Sequence, residues 1–548
     1  MLQIILMVRI DLLMSITKPE GNVITNQYGD NNKLDWTQLA SGSQAIKNTY
    51  TQQYNFPGNN NFLETTTTDN QGTVTNSDYN DNGYISSLSI NNANVTYDYT
   101  DPDNPSLPTD IDFEGFSTGI EYDDVGNVTR ITLPEGVVHE YLYNNFNDIV
   151  WYKDPKGNKT WFYYDGLNLD YIKDNMNFIT DVSINSLGQV ESVTNPEGIT
   201  QSFSYDNYGN KTDVYAPMGI HSQYDFDNVS RLIQTTNPLN QVTDFQYDAH
   251  NQIKKVTNHV STGNVVTDYN YDNNDNLTWV QNALGHKTTM TYNDRDFVET
   301  VTFGNDTKTY TYLNDGTLDT YQKPGGTGTF NFDYDDLGRV ITDGVTAFTY
   351  WGDKDLIKTV TKNDNTLTFY YDDLDRLDYY TDYYGKTVNY DYDLNSNITK
   401  ITYPGGFYVD YVYDDNNRLI QVKWDSGSKI TEYTYLDDGR LDRTDNPNGT
   451  YTEYSYDAAG RMTGLVNKKS TNEVISSYTF TPDDAGNHLE EDVTEPYGVP
   501  TLTETNLTTG YNSENRIISS GSTSLASMPM VTEYSKVVLL RPRIHTIC

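Results

Sequence analysis

The chain has 548 residues and a formal net charge of −41, from 77 acidic and 36 basic side chains. A surface of that sign repels phosphate backbones and speaks against a nucleic-acid partner. Hydrophobic residues are 36% of the chain, and they include 48 Tyr against 18 Phe and 6 Trp. Tyr buries a large ring but needs a partner for its hydroxyl, so this composition suits a half-wet sheet surface better than a dry core.

In chain order, residues 1–20 open with MLQIILMVRIDLLM, an apolar run interrupted by Arg9 and Asp11. The run is too short to span a bilayer and lacks the basic start and cleavage site of a signal peptide. We read it as an apolar leader ahead of an array that begins in mid-stride, as in an internal piece of a longer protein. From residue 21 to about 520 a tyrosine-led turn returns about every 21 residues. It reads YDDVGNVTRI from Tyr122 (with Asp123 and Gly126), YDNYGNKTDV from Tyr205 (Asp206, Gly209), YDDLGRVI from Tyr334 (Asp335, Gly338) and YDAAGRMTGL from Tyr456 (Asp457, Gly460). A fixed period of this length marks a repeat architecture, one stacked body and not several globular domains.

Within one unit, Ile199, Gln201, Phe203 and Tyr205 alternate with polar residues, the period of two of a half-buried strand. Asp206 to Asn210 then supply a hairpin turn, because Asp bonds its own backbone and Gly accepts a positive φ. A second strand follows, and it ends in a Pro-Gly corner such as LPEG from Leu133, DPKG from Asp154 or NPEG from Asn195. No window shows helical spacing. The fold class expected is all-β: tandem hairpin repeats of about 21 residues in one long, spiralling antiparallel sheet. About 23 anchors from Tyr28 to Tyr511 give roughly 45 strands, and at about 4.8 Å per strand a length of about 200 Å. Open sheets rarely exceed about ten strands without curling, so this one must coil. Irregular steps of 24 (Tyr247 to Tyr271), 16 (Tyr334 to Tyr350) and 31 (Phe480 to Tyr511) read as long corners or a skipped half-unit. Residues 521–548 form a divergent, non-repeat tail that ends in the single cysteine, Cys548, so no internal disulfide exists.

These units resemble the YD repeats of the RHS family, whose signature is a Tyr-Asp turn followed by Gly-Arg-Leu or Gly-Asn-Val/Ile. The resemblance covers nearly the whole chain and implies a hollow β-shell of a secreted or cell-surface bacterial protein. It implies as partners a C-terminal toxin or effector segment, or its immunity protein. Neither the Pro- and Gly-rich segment that follows the repeats in larger relatives nor a toxin domain is recognisable in this sequence, so no catalytic aspartates are carried over.

Read as chemistry, the residues point away from an enzyme. The pairs Asp123-Asp124, Asp335-Asp336, Asp372-Asp373 and Asp414-Asp415 recur at one turn position, whereas an acid/base dyad needs two carboxyls in distinct environments. The seven histidines, from His139 to His545, show no metal-ligand spacing, and DNNDN from Asp272 lacks the Gly and distal Glu of a calcium loop. No cofactor and no metal site is expected. The alternative to a shell is an adhesion module that stacks surface glycans on Trp151, Trp161, Trp279, Trp351 and Trp424; cross-strand packing is the competing use of those rings.

Overall fold

The computed structural model describes residues 74–495, except 92, 261–262, 314–315, 327 and 425–426, together with nine strand segments on either side of that stretch. Of the leader, only the strands Gln3–Ile5 and Ser15–Thr17 are among the described residues. Of the tail, only Thr523–Ser524 is. His545 and Cys548 lie outside them.

The described residues form antiparallel strands and three short Pro-Gly 3-10 turns, with no α-helix. The hairpin at Tyr122 represents the unit. Strand Phe116–Tyr122 pairs with strand Val128–Thr132, and the turn between them closes through Gly126 N–H to Asp123 O (3.0 Å) and Asp123 N–H to Asn127 O (2.9 Å). Gly126 has φ +91°, so the loop is a tight turn completed by a left-handed residue. Corners use the same bonds: Gly157 N–H donates to Asp154 O and Asp154 N–H to Asn158 O, each at 2.9 Å. Corners without the Pro-Gly signature do so too. At Asp174–Phe178 the left-handed position is Asn177, φ +69°.

The two edges of the sheet are nevertheless different. At each YD turn the register slips by one residue: Glu121 faces Arg130 but Tyr122 faces Val128. The slip recurs at Tyr205, Tyr334 and Tyr456. The Leu133 corner has none, because Arg130–Glu140 and Thr132–Val138 stay in register. A bulge bends its strand and increases the local twist. One extra residue per hairpin on the YD edge, against a single corner slip at Asn467/Lys468, accumulates into curvature of one sense.

Among the described residues the strands form sheets of 31, 16 and three strands, not the single continuous system expected. The main division falls at Phe332, where one strand changes partner. Thr329–Asn331 pairs back to Leu318–Gln322, and Asp333–Tyr334 pairs forward to Val340–Thr342. The step of 24 is not a long corner. It comes from long strands, Ile253–Val260 and Gly263–Tyr271. The step of 16 is a shortened unit, with strands Val340–Thr342 and Thr346–Tyr350. The step of 31 crosses residues 496–508, which lie outside the described residues.

The sheet returns on itself. Hydrogen bonds join corners of the first coil to YD turns of the second at separations of 239 to 245 residues. About 23 strands lie in one coil; at about 4.8 Å each this gives a circumference of about 110 Å and a backbone diameter of about 35 Å. The wall is one sheet thick. Among the described residues only Val137, Val388 and Tyr451 are buried hydrophobics, and no large side chain is fully buried.

Candidate functional site: turn edges, tyrosine ladder and seam

Each YD turn is organised by its aspartate. Asp206 Oδ1 accepts the N–H groups of Tyr208 (2.8 Å) and Asn210 (2.9 Å), and Oδ2 accepts Asn210 Nδ2 (2.9 Å). Asp123, Asp335 and Asp457 do the same, with Arg339 Nε and Arg461 Nε replacing the amide at the last two. The Asn210 side-chain bond is the main reason that Asp206 is held below the usual carboxylate range. Burial pushes Asp335 up, but the Arg339 hydrogen bonds outweigh it and the pKa is lowered. The second acids of the pairs, Asp124, Asp336, Asp373 and Asp415, are exposed.

The anchoring tyrosines form a ladder that the sequence left implicit. Tyr205 Oη donates to Val190 O (2.8 Å), Tyr334 Oη to Leu318 O (2.8 Å) and Tyr456 Oη to Leu441 O (2.7 Å). Tyr122 reaches Pro108 O (2.8 Å). Each acceptor belongs to the preceding hairpin or its entry, so every ring staples two repeats. Burial raises the phenol pKa of Tyr122, Tyr292 and Tyr456. The signal was the excess of Tyr over Phe at a position where packing alone would accept either.

The residue after the turn glycine explains the Gly-Arg form of the motif. Arg376 Nε bonds Asp372 (2.7 Å), another nitrogen reaches Asp393 O (3.2 Å) in the next repeat, and the guanidinium lies 4.6 Å from the centre of the Tyr392 ring. Arg339 over Tyr350 and Arg440 over Tyr456 repeat the stacking.

The seam between coils is polar. Glu135 meets Arg376 at 3.3 Å, Lys156 Nζ meets Asp393 at 3.3 Å, and Asn395 Nδ2 donates to Asp154 (2.6 Å). Farther along, Asn416 Nδ2 donates to Asp174 (2.6 Å) and Asn195 Nδ2 to Asp438 (2.9 Å). A pocket of about 410 Å³ opens there, lined by His139, Tyr152, Asp154, Asp174 and Asn416 among others. His139 Nδ1 lies 2.8 Å from Tyr152 Oη. Burial pushes His139 down and Tyr152 up to about 12.

The five candidate tryptophans, of six in the chain, are dispersed along the sheet, and an ammonium stands over each of their rings. Lys159 lies 3.7 Å from the centre of Trp151, Lys173 4.8 Å from Trp161, Lys287 4.0 Å from Trp279, Lys358 4.4 Å from Trp351 and Lys429 4.7 Å from Trp424. His221, His250 and His259 each pair with one aspartate, at 2.8, 2.6 and 2.6 Å. Among the described residues no three His, Cys, Asp or Glu side chains gather as a metal site. None of their helices is long and apolar enough to cross a membrane.

Residues 240–429 match the family model Teneurin YD-shell, and residues 435–471 match RHS Repeat. No curated protein matches the sequence. Among solved structures, the Photorhabdus luminescens Tc holotoxin pore is similar over 86% of this chain and 29% of its own, with 13% identity and a TM-score of 0.56. A crystal structure of the TcdB2–TccC3–Cdc42 protein is 13% identical over 91% of this chain and 30% of its own, with a TM-score of 0.41. The chain thus spans less than a third of these structures' chains. By its motifs, by the family models over these two stretches and by its fold, the chain resembles the RHS/YD-repeat family.

Proposed function

We propose that this chain is a non-enzymatic wall of a hollow shell, part of a secreted or cell-surface bacterial protein, that encloses or presents a C-terminal toxin or effector segment. The observation that carries the reading is the return of the sheet after about 240 residues as a wall one sheet thick. With about 5 Å of side chain on the inner face, a backbone diameter of about 35 Å leaves a bore of about 25 Å. The fold shared with the Tc holotoxin structure supports a toxin context. The repetition of the turn aspartates in one role supports a scaffold over a catalyst. Glycan adhesion is the weaker reading, because a lysine already occupies a face of each candidate Trp.

Limited proteolysis of the natural gene product tests the proposal. A segment following the array is expected to resist a protease that digests the same segment at once when it is free. A gene product that ends in the array, or a segment cut equally fast attached and free, overturns it.

A further inference from the structure

Each YD hairpin has a last residue pair in register before the slip, and alternation puts that pair on the face opposite the tyrosine ladder. Other hairpins fill the position with polar pairs: Glu121 faces Arg130, Ser204 faces Asp213 and Thr291 faces Thr300. The repeat therefore does not require an aromatic ring there. Among the described residues, two hairpins nevertheless place tyrosine on both strands. Tyr163 of strand Lys159–Asp165 faces Tyr171 of Asn168–Lys173, and Tyr370 of Asn365–Tyr371 faces Tyr379 of Leu377–Thr381. The next residues, Tyr164 and Tyr371, are ladder anchors whose hydroxyls donate to Ile149 O (3.0 Å) and Ile357 O (3.1 Å).

In both pairs the rings lie flat on one another. Their centres are 4.2 Å apart, with the planes tilted by 15° in the first pair and 14° in the second. Tyr141–Tyr152 and Tyr310–Tyr321 are looser, at 5.2 and 5.4 Å. Tyr383 and Tyr384 are closer, at 4.0 Å, but they are neighbours in sequence, and a bond between them would join no strands. The chain has 48 tyrosines and one cysteine, so disulfides cannot bridge its own strands, whereas phenols can.

We propose that Tyr163–Tyr171 and Tyr370–Tyr379 are oxidative cross-linking sites at which a dityrosine bond clasps the two strands of a hairpin. The oxidant is hydrogen peroxide acting through a haem peroxidase. Each phenol gives up one electron and one proton. The two phenoxyl radicals then join through the ring carbons beside their oxygens, and the hydrogen on each joined carbon moves to its oxygen, which restores both phenols. The peroxide O–O bond breaks, and the two electrons and two protons leave as two molecules of water. A small rotation of one stacked ring brings the reacting carbons together without moving either strand.

Peptide mapping of the whole chain, treated with a haem peroxidase and limiting hydrogen peroxide, tests this. A protease that cuts before aspartate releases Tyr163 in residues 154–164 and Tyr171 in 170–173, and Tyr370 in 364–371 and Tyr379 in 378–381. In the treated monomer these peptides are expected as two joined pairs, each two hydrogen atoms lighter than its separate members, with dityrosine fluorescence. Tyr171→Phe and Tyr379→Phe keep the stacked ring and delete one phenol, so each variant should lose its own joined pair and keep the other. If accessibility alone governs the coupling, the products will instead join Tyr208 and Tyr384, which are 72% and 71% exposed, between molecules. That result overturns the proposal, as does a monomer without dityrosine, or joined peptides that persist in the matching Phe variant. Circular dichroism checks that strand content is retained; if a variant loses it, the map of the wild type decides alone.

Discussion

Removing one rung of the tyrosine ladder and adding another isolates what the hydroxyl contributes. Tyr247 Oη donates to Leu232 O at 2.7 Å, at the start of strand Leu232–Thr236. Tyr247→Phe keeps the ring and deletes only this bond, and a hydrogen bond of this kind contributes about 1 kcal/mol. One repeat earlier the ladder position is occupied by Phe226, in strand His221–Phe226. The offset of 15 residues seen at Tyr205 and Tyr247 places the carbonyl of Lys211 opposite it. Phe226→Tyr should therefore gain up to about 1 kcal/mol. Stability in a stacked array is local to a unit and its neighbours, so hydrogen exchange of individual amides is the suitable assay. An effect of 1 kcal/mol corresponds to about a fivefold change in the open population. Amides of strands Leu232–Thr236 and Val242–Tyr247 should exchange about fivefold faster in Tyr247→Phe. Those of Lys211–Tyr215 and His221–Phe226 should slow in Phe226→Tyr. Exchange unchanged in both variants would refute the claim that the hydroxyls couple successive hairpins.

Three further outcomes follow from the turns and the seam. Gly338 has φ +76° with open space where a Cβ would stand, so Gly338→Val should cost about 1–2 kcal/mol through backbone strain alone. Gly338→Asn should cost clearly less, since Asn251 and Asn417 hold the same left-handed position at φ +68° and +59°; equal exchange rates in the two variants would contradict this. The lowered pKa of Asp206, due first to its Asn210 bond, means that the turn is stabilised above the unfolded value near 3.9 and loses that contribution as pH falls through the folded value. Amides around Asp206 should thus loosen below about pH 4, while the turn at Asn185, which makes the same bonds with a neutral amide, should not. Asn395→Ala removes the donor to Asp154 and the acceptor of Lys156 N–H (3.1 Å). It should speed exchange at the 154–158 corner several-fold, by about 1 kcal/mol per lost bond, and leave the strand amides unchanged.

The hairpin unit was legible in the sequence because its causes are local. Alternation marks the strands, and Asp and Gly at fixed offsets mark the turn, as at Asp206 and Gly209 with φ +89°. The corner at Asp174–Phe178 was hidden because it makes the same bonds with neither Pro nor Gly. The partner of the tyrosine hydroxyl was half legible, since a wet ring demanded an acceptor, but the choice of Val190 O for Tyr205 depends on the one-residue slip that precedes the anchor. That the sheet must coil followed from its length, but the circumference of the coil and the residues it brings together were not readable. Curvature is a sum of small bends at many bulges, and no single residue encodes it. For the same reason the seam residues Asp154 and Asn395 look like ordinary turn residues until the sheet brings them together from 241 positions apart. The lysines over the five tryptophans sit across a strand pair or a turn from their rings, so they too needed the register, as in Trp151 facing Trp161 beside Lys159.

The coil stands or falls on the closeness of positions far apart in sequence. Lys156 Nζ lies 3.3 Å from Asp393 Oδ2 across the seam, within reach of a zero-length carbodiimide cross-link. Peptide mapping of the cross-linked monomer should recover Lys156 joined to Asp393. A monomer in which Lys156 joins only residues of its own and adjacent hairpins would contradict the spiral, because a sheet that does not return after one coil never brings these two side chains together.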